Sequence, residues 1–539
     1  MRMWSKAFGA VCIVAGLGSP FIPAGSPGRI AAADELGRDA RHALVARGET
    51  LFLKEWSPRA PSRHGGDGLG PVYNDTSCVA CHNLGGTGGA GPVSKNVDLL
   101  SAVVTPGDNE GGRNSFLSSR LRQRQRTAEM AKRRGEQLPE RSPKGAPPDR
   151  APLSTLHAGF RTAPSVVVPR FGTNRDHEQW RIPLLNPSMA FLFDRPMLSP
   201  RFAREQTASV GVNRSLAPLP FEHGDFTLIH TQRNPSPLFG AGLIDAIPDI
   251  ALAIAAATRH PGYPAIQGRL SQLDDGRIGR FGWKAQAATL DDFVLTACAV
   301  ELGLEVPGHA QALNPRDASY RAPGLDLTRA ECDALTAFVR SIPAPTLHRP
   351  EHTEDALRVM SGRTTFEAVG CATCHAPELG GVEGIYSDLL LHDMGEQLSD
   401  NGAYGSLTPG SNTDEDMSTG IMPNGPLAFQ GAKPAFRGPS RREWRTPPLW
   451  GLRDSGPYLH DGRAETLEQA IALHGGQAEL PKQRYFGLPE PERLALEAFL
   501  KSLVAPSTTA PRRDRPQERP RDHAVRLTDR GGEKPGPLR

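Results

Sequence analysis

The sequence predicts a mainly α-helical protein made of two copies of one unit, the first enlarged by long loops and insertions. Three observations predict it. The pentapeptide C-x-x-C-H occurs twice, as Cys78, Cys81 and His82 and again as Cys371, Cys374 and His375. Each occurrence follows a stretch of helical apolar spacing. The run at 335–345 (Leu-Thr-Ala-Phe-Val-Arg-Ser-Ile-Pro-Ala-Pro) is echoed at 496–506 (Leu-Glu-Ala-Phe-Leu-Lys-Ser-Leu-Val-Ala-Pro), and both read as helix ends stopped by proline.

The pentapeptide defines the chemistry. Two thiols three residues apart can bond to the vinyl groups of a haem, and the adjoining imidazole can reach its iron from one side. With seven Cys and sixteen His in 539 residues, two chance occurrences are not expected. A zinc site would want a second nearby Cys pair or two spaced histidines, and a redox dithiol has no need of the adjoining His. The expectation is two covalently attached haem c groups, with His82 and His375 as proximal ligands. Cys12, Cys298 and Cys332 remain, too few for a disulfide framework.

Residues 1–33 have the pattern of an export signal. Arg2 and Lys6 precede an apolar run at 7–17, too short to span a bilayer, and Ala31, Ala32 and Ala33 suit a cleavage site. A lipid-anchored Cys12 is the lesser alternative, because that residue lies inside the apolar run. Export agrees with haem c, which bacteria attach outside the cytoplasm, so the expected location is the periplasm without a transmembrane segment.

In the mature chain, residues 43–56 are spaced as a helix with Leu44, Leu51 and Phe52 on one face, and a glycine-rich loop leads to Cys78. Residues 354–369 repeat this with Leu357, Met360 and Phe366 before Cys371. Pro237 to Gly240 matches Pro448 to Gly451, and Ala288-Thr289-Leu290 matches Glu465-Thr466-Leu467. The resulting division is a first haem domain at 34–345, a second at 346–506 and a Pro/Arg-rich disordered tail at 507–539. An insertion at 107–150 holds eleven Lys or Arg against six Asp or Glu. It reads as a solvated excursion or as a docking patch for an acidic partner. The net charge of +3, from 62 basic and 59 acidic groups, gives no argument for nucleic acid.

Several stretches carry a family resemblance. They are 234–243 (Asn-Pro-Ser-Pro-Leu-Phe-Gly-Ala-Gly-Leu), 279–285 (Gly-Arg-Phe-Gly-Trp-Lys-Ala), 386–395 (Tyr-Ser-Asp-Leu-Leu-Leu-His-Asp-Met-Gly) and 458–464 (Tyr-Leu-His-Asp-Gly-Arg-Ala), beside the two C-x-x-C-H motifs. Together they resemble the bacterial di-haem oxidoreductases, relatives of di-haem cytochrome c peroxidases, over residues 43–505. The resemblance implies cytochrome c-like domains and a peroxidase-type oxidoreductase. It fixes substrate less well than family.

For the second haem, His474 is the candidate distal ligand, fourteen residues after His460 at the end of a short helix. The related peroxidases place a Met at this spacing, and imidazole in its place lowers the expected potential. His392 and Met394 are the rivals. Aligning Thr289 on Thr466 sets Ala297 opposite His474, and alanine cannot bind iron, although its neighbour Cys298 could. The first haem is therefore expected to have an open distal side, with His157, His177, His223 and His230 as alternative ligands. Glu301, one helical turn beyond Ala297, is the candidate acid and base for peroxide cleavage. The resemblance implies that Trp283 relays electrons between the haems. It also suggests calcium between the domains, for which no acidic loop here has suitable spacing.

The expected activity is reduction of a peroxide or other small oxidant at the first haem. Electrons would come through the second haem from a small soluble donor, a cytochrome c or a cupredoxin. A plain di-haem electron carrier and a haem-dependent oxygenase of an apolar substrate are the alternatives.

Overall fold

In the computed structural model, residues 27–58, 61–104, 152–185, 199–200, 219–223, 226–345, 347–404 and 439–506 are described. The helices are α1 (Pro27–Leu53), α2 (Cys78–Cys81), α3 (His177–Leu185), α4 (Ala241–Ala246), α5 (Asp249–Ala257), α6 (Leu290–Glu301), α7 (Arg329–Ser341), α8 (Thr353–Val369), α9 (Leu467–Leu473), α10 (Glu479–Phe486) and α11 (Glu490–Lys501). Most of the expected leader, the 107–150 insertion and the tail lie outside the described residues.

Two helix pairs, α1 with α7 and α8 with α11, meet backbone to backbone, and glycine permits it. A Cβ built on Gly48 would lie 1.9 Å from the Ala334 carbonyl oxygen, and one built on Gly362 would lie 1.9 Å from that of Ala495. Ala334 and Ala495 immediately precede the repeated runs that begin at Leu335 and Leu496. The repeat therefore extends to how each copy closes its helix pair. We predict that Gly362→Ala, by forcing α8 away from α11, costs about 1–3 kcal/mol. The measurement is a lowered thermal midpoint against a neutral or slightly stabilised Gly37→Ala control, since nothing lies within 4 Å of a Cβ at Gly37.

The copies are joined by reciprocal contacts. The Asn234 N–H donates to the His460 carbonyl at 2.7 Å, and the Arg445 N–H donates to the Trp283 carbonyl at 3.0 Å. Around these bonds the sequences 281–290 and 458–467 align without a gap. Bridges Phe281↔Ala287 and Tyr458↔Ala464 close equivalent loops. Positive φ occurs at Gly282 and Leu459 and again at Ala285 and Gly462. Thr289 and Thr466 then cap α6 and α9 by accepting from the backbone N–H of Asp292 and Gln469. Gly240, at φ 66°, lies under the Trp450 ring, while its counterpart Gly451, at φ 67°, lies under the Phe239 ring. Each copy thus inserts an aromatic over the other's turn. The apolar core around Phe52, Phe338 and Ile342 runs on through Phe239 to Trp450, Leu379 and Ile385. Contacts join the described residues of Met1–Pro506 into one compact unit.

The expectation of a mainly α fold needs one addition. Strands β1 (Val97–Val104), β2 (Ser165–Val168), β3 (Ser199–Pro200), β4 (Leu219–His223) and β5 (Phe226–Arg233) form an antiparallel sheet in the order β2-β1-β5-β4-β3. It has its own core of Leu100, Phe160, Val166, Trp180 and Leu228. In the second copy the counterpart is β6 (Leu391–Asp393) against β7 (Glu443–Arg445). Asp98 faces Gln232 in the first copy as Asp393 faces Glu443 in the second, so the sheet enlarges an antiparallel strand pair that both copies possess.

Two expected helix faces differ from those found. Phe366 is buried, but Leu357 and Met360 are 59% and 66% exposed, and Leu44 is also exposed. Helix α8 buries Gly362, Phe366 and Val369, spaced four and three residues apart, and this stripe turns Leu357 and Met360 outward. Among the described residues no helix is long and apolar enough to cross a membrane.

Candidate functional site

Each C-x-x-C-H motif is a single tight turn that presents two thiols and a ring to a cavity. In the first, α2 sets Cys78 and Cys81 three residues apart on one face, and the His82 N–H donates to the Cys78 carbonyl at 3.0 Å. In the second, Gly370 ends α8 at φ 99°, so the chain turns directly into Cys371, and the His375 N–H donates to the Cys371 carbonyl at 3.0 Å.

The two imidazoles are held alike. His82 Nδ1 lies 3.2 Å from the Gly89 carbonyl oxygen and His375 Nδ1 lies 3.0 Å from that of Tyr386. A carbonyl accepts only, so Nδ1 carries the proton and Nε2 keeps its lone pair, the arrangement that orients a metal-binding histidine. Burial pushes both rings down to about 4, with His474 adding to the effect at His375. They are neutral near pH 7. All four motif cysteines are free, and burial pushes Cys78 and Cys371 up to about 12. Such thiols lack the depressed pKa of a redox dithiol. Among the described residues no three His, Cys, Asp or Glu side chains converge as a zinc or calcium site would require.

The cavities fit a haem in other respects. The first is lined by Phe52, Phe293 and Val294 beside its motif, and the second by Phe366, Leu467 and Ala470 beside its own. Lys284 lines the first and Arg445 the second. Burial lowers Lys284 to about 7 and Arg445 to about 10. Lys284 Nζ donates to the carbonyls of Ser440, Arg441 and Glu443, and Arg445 Nε donates to that of Gly282. Neither forms a carboxylate ion pair among the described residues. Buried cations beside an apolar slot suit a flat apolar ring with carboxylate arms.

The remaining expected residues separate between the two cavities. His474 caps the C-terminus of α9 and lines the same cavity as His375, and its Nδ1 donates to the Ala470 carbonyl at 2.7 Å, which leaves Nε2 free. Its rival His392 also lines the second cavity, with Nδ1 3.6 Å from Cys374 Sγ, but both ring nitrogens are engaged, Nε2 by Asp388 and Nδ1 by Gln477, each at 2.8 Å. Met394 also lines the second cavity. Ala297, Cys298 and Glu301 all line the first. Glu301 Oε1 has no hydrogen-bond partner among the described residues, and burial raises the carboxyl to about 7 against the opposing pull of Tyr404 and Asn74. Trp283 lines both cavities, its Nε1 donating to the Asn234 carbonyl at 2.9 Å. His157 caps the turn at Ala158–Arg161, His177 opens α3 and His230 lies on β5, bonded to Gly159, Pro169 and Asp98, and none of them lines the first cavity; the side chain of His223 lies outside the described residues.

Residues 427–503, which contain His460 and His474, match the family described as "Di-haem oxidoreductase, putative peroxidase". The match covers this segment alone. Methylamine utilization protein MauG of Methylorubrum extorquens is 28% identical over 141 residues, 25% of this chain and 31% of that protein. Hydrazine synthase subunit gamma of Kuenenia stuttgartiensis is 25% identical over 187 residues, 32% of this chain and 52% of that protein. The chain thus spans between about a third and about half of the length of these relatives. Among solved structures, the hydrazine synthase of Kuenenia stuttgartiensis aligns with 50% of this chain and 72% of its own at 20% identity and a TM-score of 0.27. A MauG-like protein associated with microbial copper homeostasis aligns with 49% and 91% at 19% identity and a TM-score of 0.24. The matched segment lies wholly in the second copy.

Sequence reasoning missed Lys284, Arg445 and Tyr404 as cavity residues. Lys284 follows Trp283 directly and could have been found from its neighbour. Arg445 and Tyr404 come from remote chain segments and leave no local signal.

Proposed function

We propose that the chain is a periplasmic di-haem c oxidoreductase that reduces a peroxide at the His82 cavity with electrons received at the His375 cavity. One observation carries this reading. Equivalent helices place His474 in the second cavity and Ala297 with Glu301 in the first. Cys78 and Cys81, and likewise Cys371 and Cys374, would hold the two haems through thioethers, with His82 and His375 on one side of each ring. When bound, haem supplies an iron that exchanges electrons and engages a peroxide oxygen. His474 keeps its Nε2 toward the second cavity, closing that site to substrate. Ala297 leaves room in the first. There Glu301 Oε1 can take a proton from the incoming peroxide and return it to the departing oxygen, which leaves as water. Trp283, which lines both cavities, would be the aromatic route for electrons between them. A small cytochrome or cupredoxin is the expected donor.

The test is the ferric spectrum together with turnover. We expect one high-spin and one low-spin haem by electron paramagnetic resonance, and oxidation of a reduced small cytochrome that depends on added hydrogen peroxide. Two low-spin haems without peroxide turnover would make the chain an electron carrier instead. Oxygen consumption without a peroxide requirement would favour the oxygenase alternative.

A further inference from the structure

The first cavity is completed by a segment of the second copy. After β6 the chain crosses to β5, where the Arg233 guanidinium grips the Asp400 carboxylate with two bonds of 2.6 and 2.9 Å, both side chains nearly fully buried. Asp400 Oδ1 accepts from the Gly402 N–H at 2.6 Å, the Gly402 carbonyl accepts from Arg233 at 2.5 Å, and the Ala403 N–H donates to Ser165 Oγ at 3.0 Å. Gly402 is pressed so closely on β5 that a Cβ there would lie 2.5 Å from Thr231 Oγ1. These contacts hold residues 400–403 against the first copy and deliver the next residue, Tyr404, into the wall of the first cavity with Glu301, Ala297 and Cys298.

We infer that Tyr404, carried by the second copy, is the positioning residue for Glu301 in the first cavity. The inference rests on the reading of Glu301 given above. Both side chains line the first cavity, and the phenol favours the ionised carboxylate, as a donated hydrogen bond would. Burial first, and then Glu301 itself, hold the Tyr404 phenol protonated. The O–H therefore donates and the carboxylate accepts. That bond fixes one carboxylate oxygen and leaves the other free to meet substrate. It also stabilises the charged form of Glu301, as Asn74 and Arg170 do, while Asp75 opposes it. Cys81 and Cys298 face the same group of side chains. A second copy that supplies Tyr404 makes the first cavity competent only when the two copies are docked.

The experiment uses the full haem-loaded protein and the variants Tyr404→Phe, Asp400→Asn and Glu301→Gln. Tyr404→Phe removes one oxygen and retains the ring. It is expected to leave the ferric spectrum unchanged while moving the acidic limb of the pH profile of kcat/KM for hydrogen peroxide upward by about one unit. Asp400→Asn, which loosens the strap, is expected to move the same limb in the same direction. An altered ferric spectrum in Tyr404→Phe would overturn the inference by making the phenol an iron ligand. So would an unmoved limb in Tyr404→Phe when Glu301→Gln abolishes turnover. Full turnover in Glu301→Gln would overturn the prior reading of the carboxylate instead.

Discussion

Replacing Glu301 with glutamine is expected to lower kcat/KM for hydrogen peroxide by about 10²–10⁴-fold, the range typical of a positioned general acid and base. Glutamine keeps the size and one hydrogen-bond acceptor of the side chain, so the loss would measure proton transfer alone. The pH dependence gives an independent check. Burial raises the carboxyl to about 7, and only its ionised form can accept the peroxide proton. Turnover in the unaltered protein should therefore rise with pH through about 7 and level off above it. In Glu301→Gln this limb should vanish along with most of the rate. A variant that turns over at the normal rate and keeps the limb would remove the carboxylate from the chemistry. The ferric spectrum should not change, because the reading gives Glu301 no bond to iron.

Local signals mark the motifs that line the cavities, and the architecture is less legible in them. The C-x-x-C-H turns, the Thr289 and Thr466 caps and the proline-stopped helix ends are each encoded within a few residues, and so are legible one segment at a time. The alignment sets Ala297 opposite His474 because positive-φ turns and capped helices keep a fixed length between them. By contrast, the sheet built on Val97–Val104 and Phe226–Arg233 pairs residues more than a hundred positions apart. Its strands read as short apolar runs whose partners periodicity cannot name. The outward turn of Leu357 and Met360 has a related cause. Their helix is oriented by Gly362, whose value is the absence of a side chain, and a hydrophobic pattern does not register an absence. Arg233, Asp400 and Tyr404 were invisible for the same reason as the sheet, since each gains its role from a neighbour distant in sequence.

His474→Ala is expected to convert about half of the ferric iron from low to high spin, because one of two irons would lose its distal imidazole. Three features single out His474. Its ring shares the cavity with His375, its Nδ1 proton is taken by the Ala470 carbonyl, and its position at the end of α9 is fixed by the Thr466 cap. The adjacent His392 cannot compensate while Asp388 and Gln477 occupy both of its nitrogens. Added imidazole should restore the low-spin signal, which would separate loss of a ligand from collapse of the cavity. Electron delivery from the donor should slow, while the opened second site should react with peroxide only weakly, since the repeat sets Ala478 there opposite Glu301. An unchanged spectrum in His474→Ala would transfer the ligand role to Met394, and Met394→Ala would then be the variant that loses the signal. The reciprocal change, Ala297→His, should close the first cavity, add a second low-spin species and abolish peroxide reduction. Together the two substitutions should exchange the spin states of the copies without restoring turnover, because the repeat sets Ala478 opposite Glu301 and the opened second cavity would lack its acid and base.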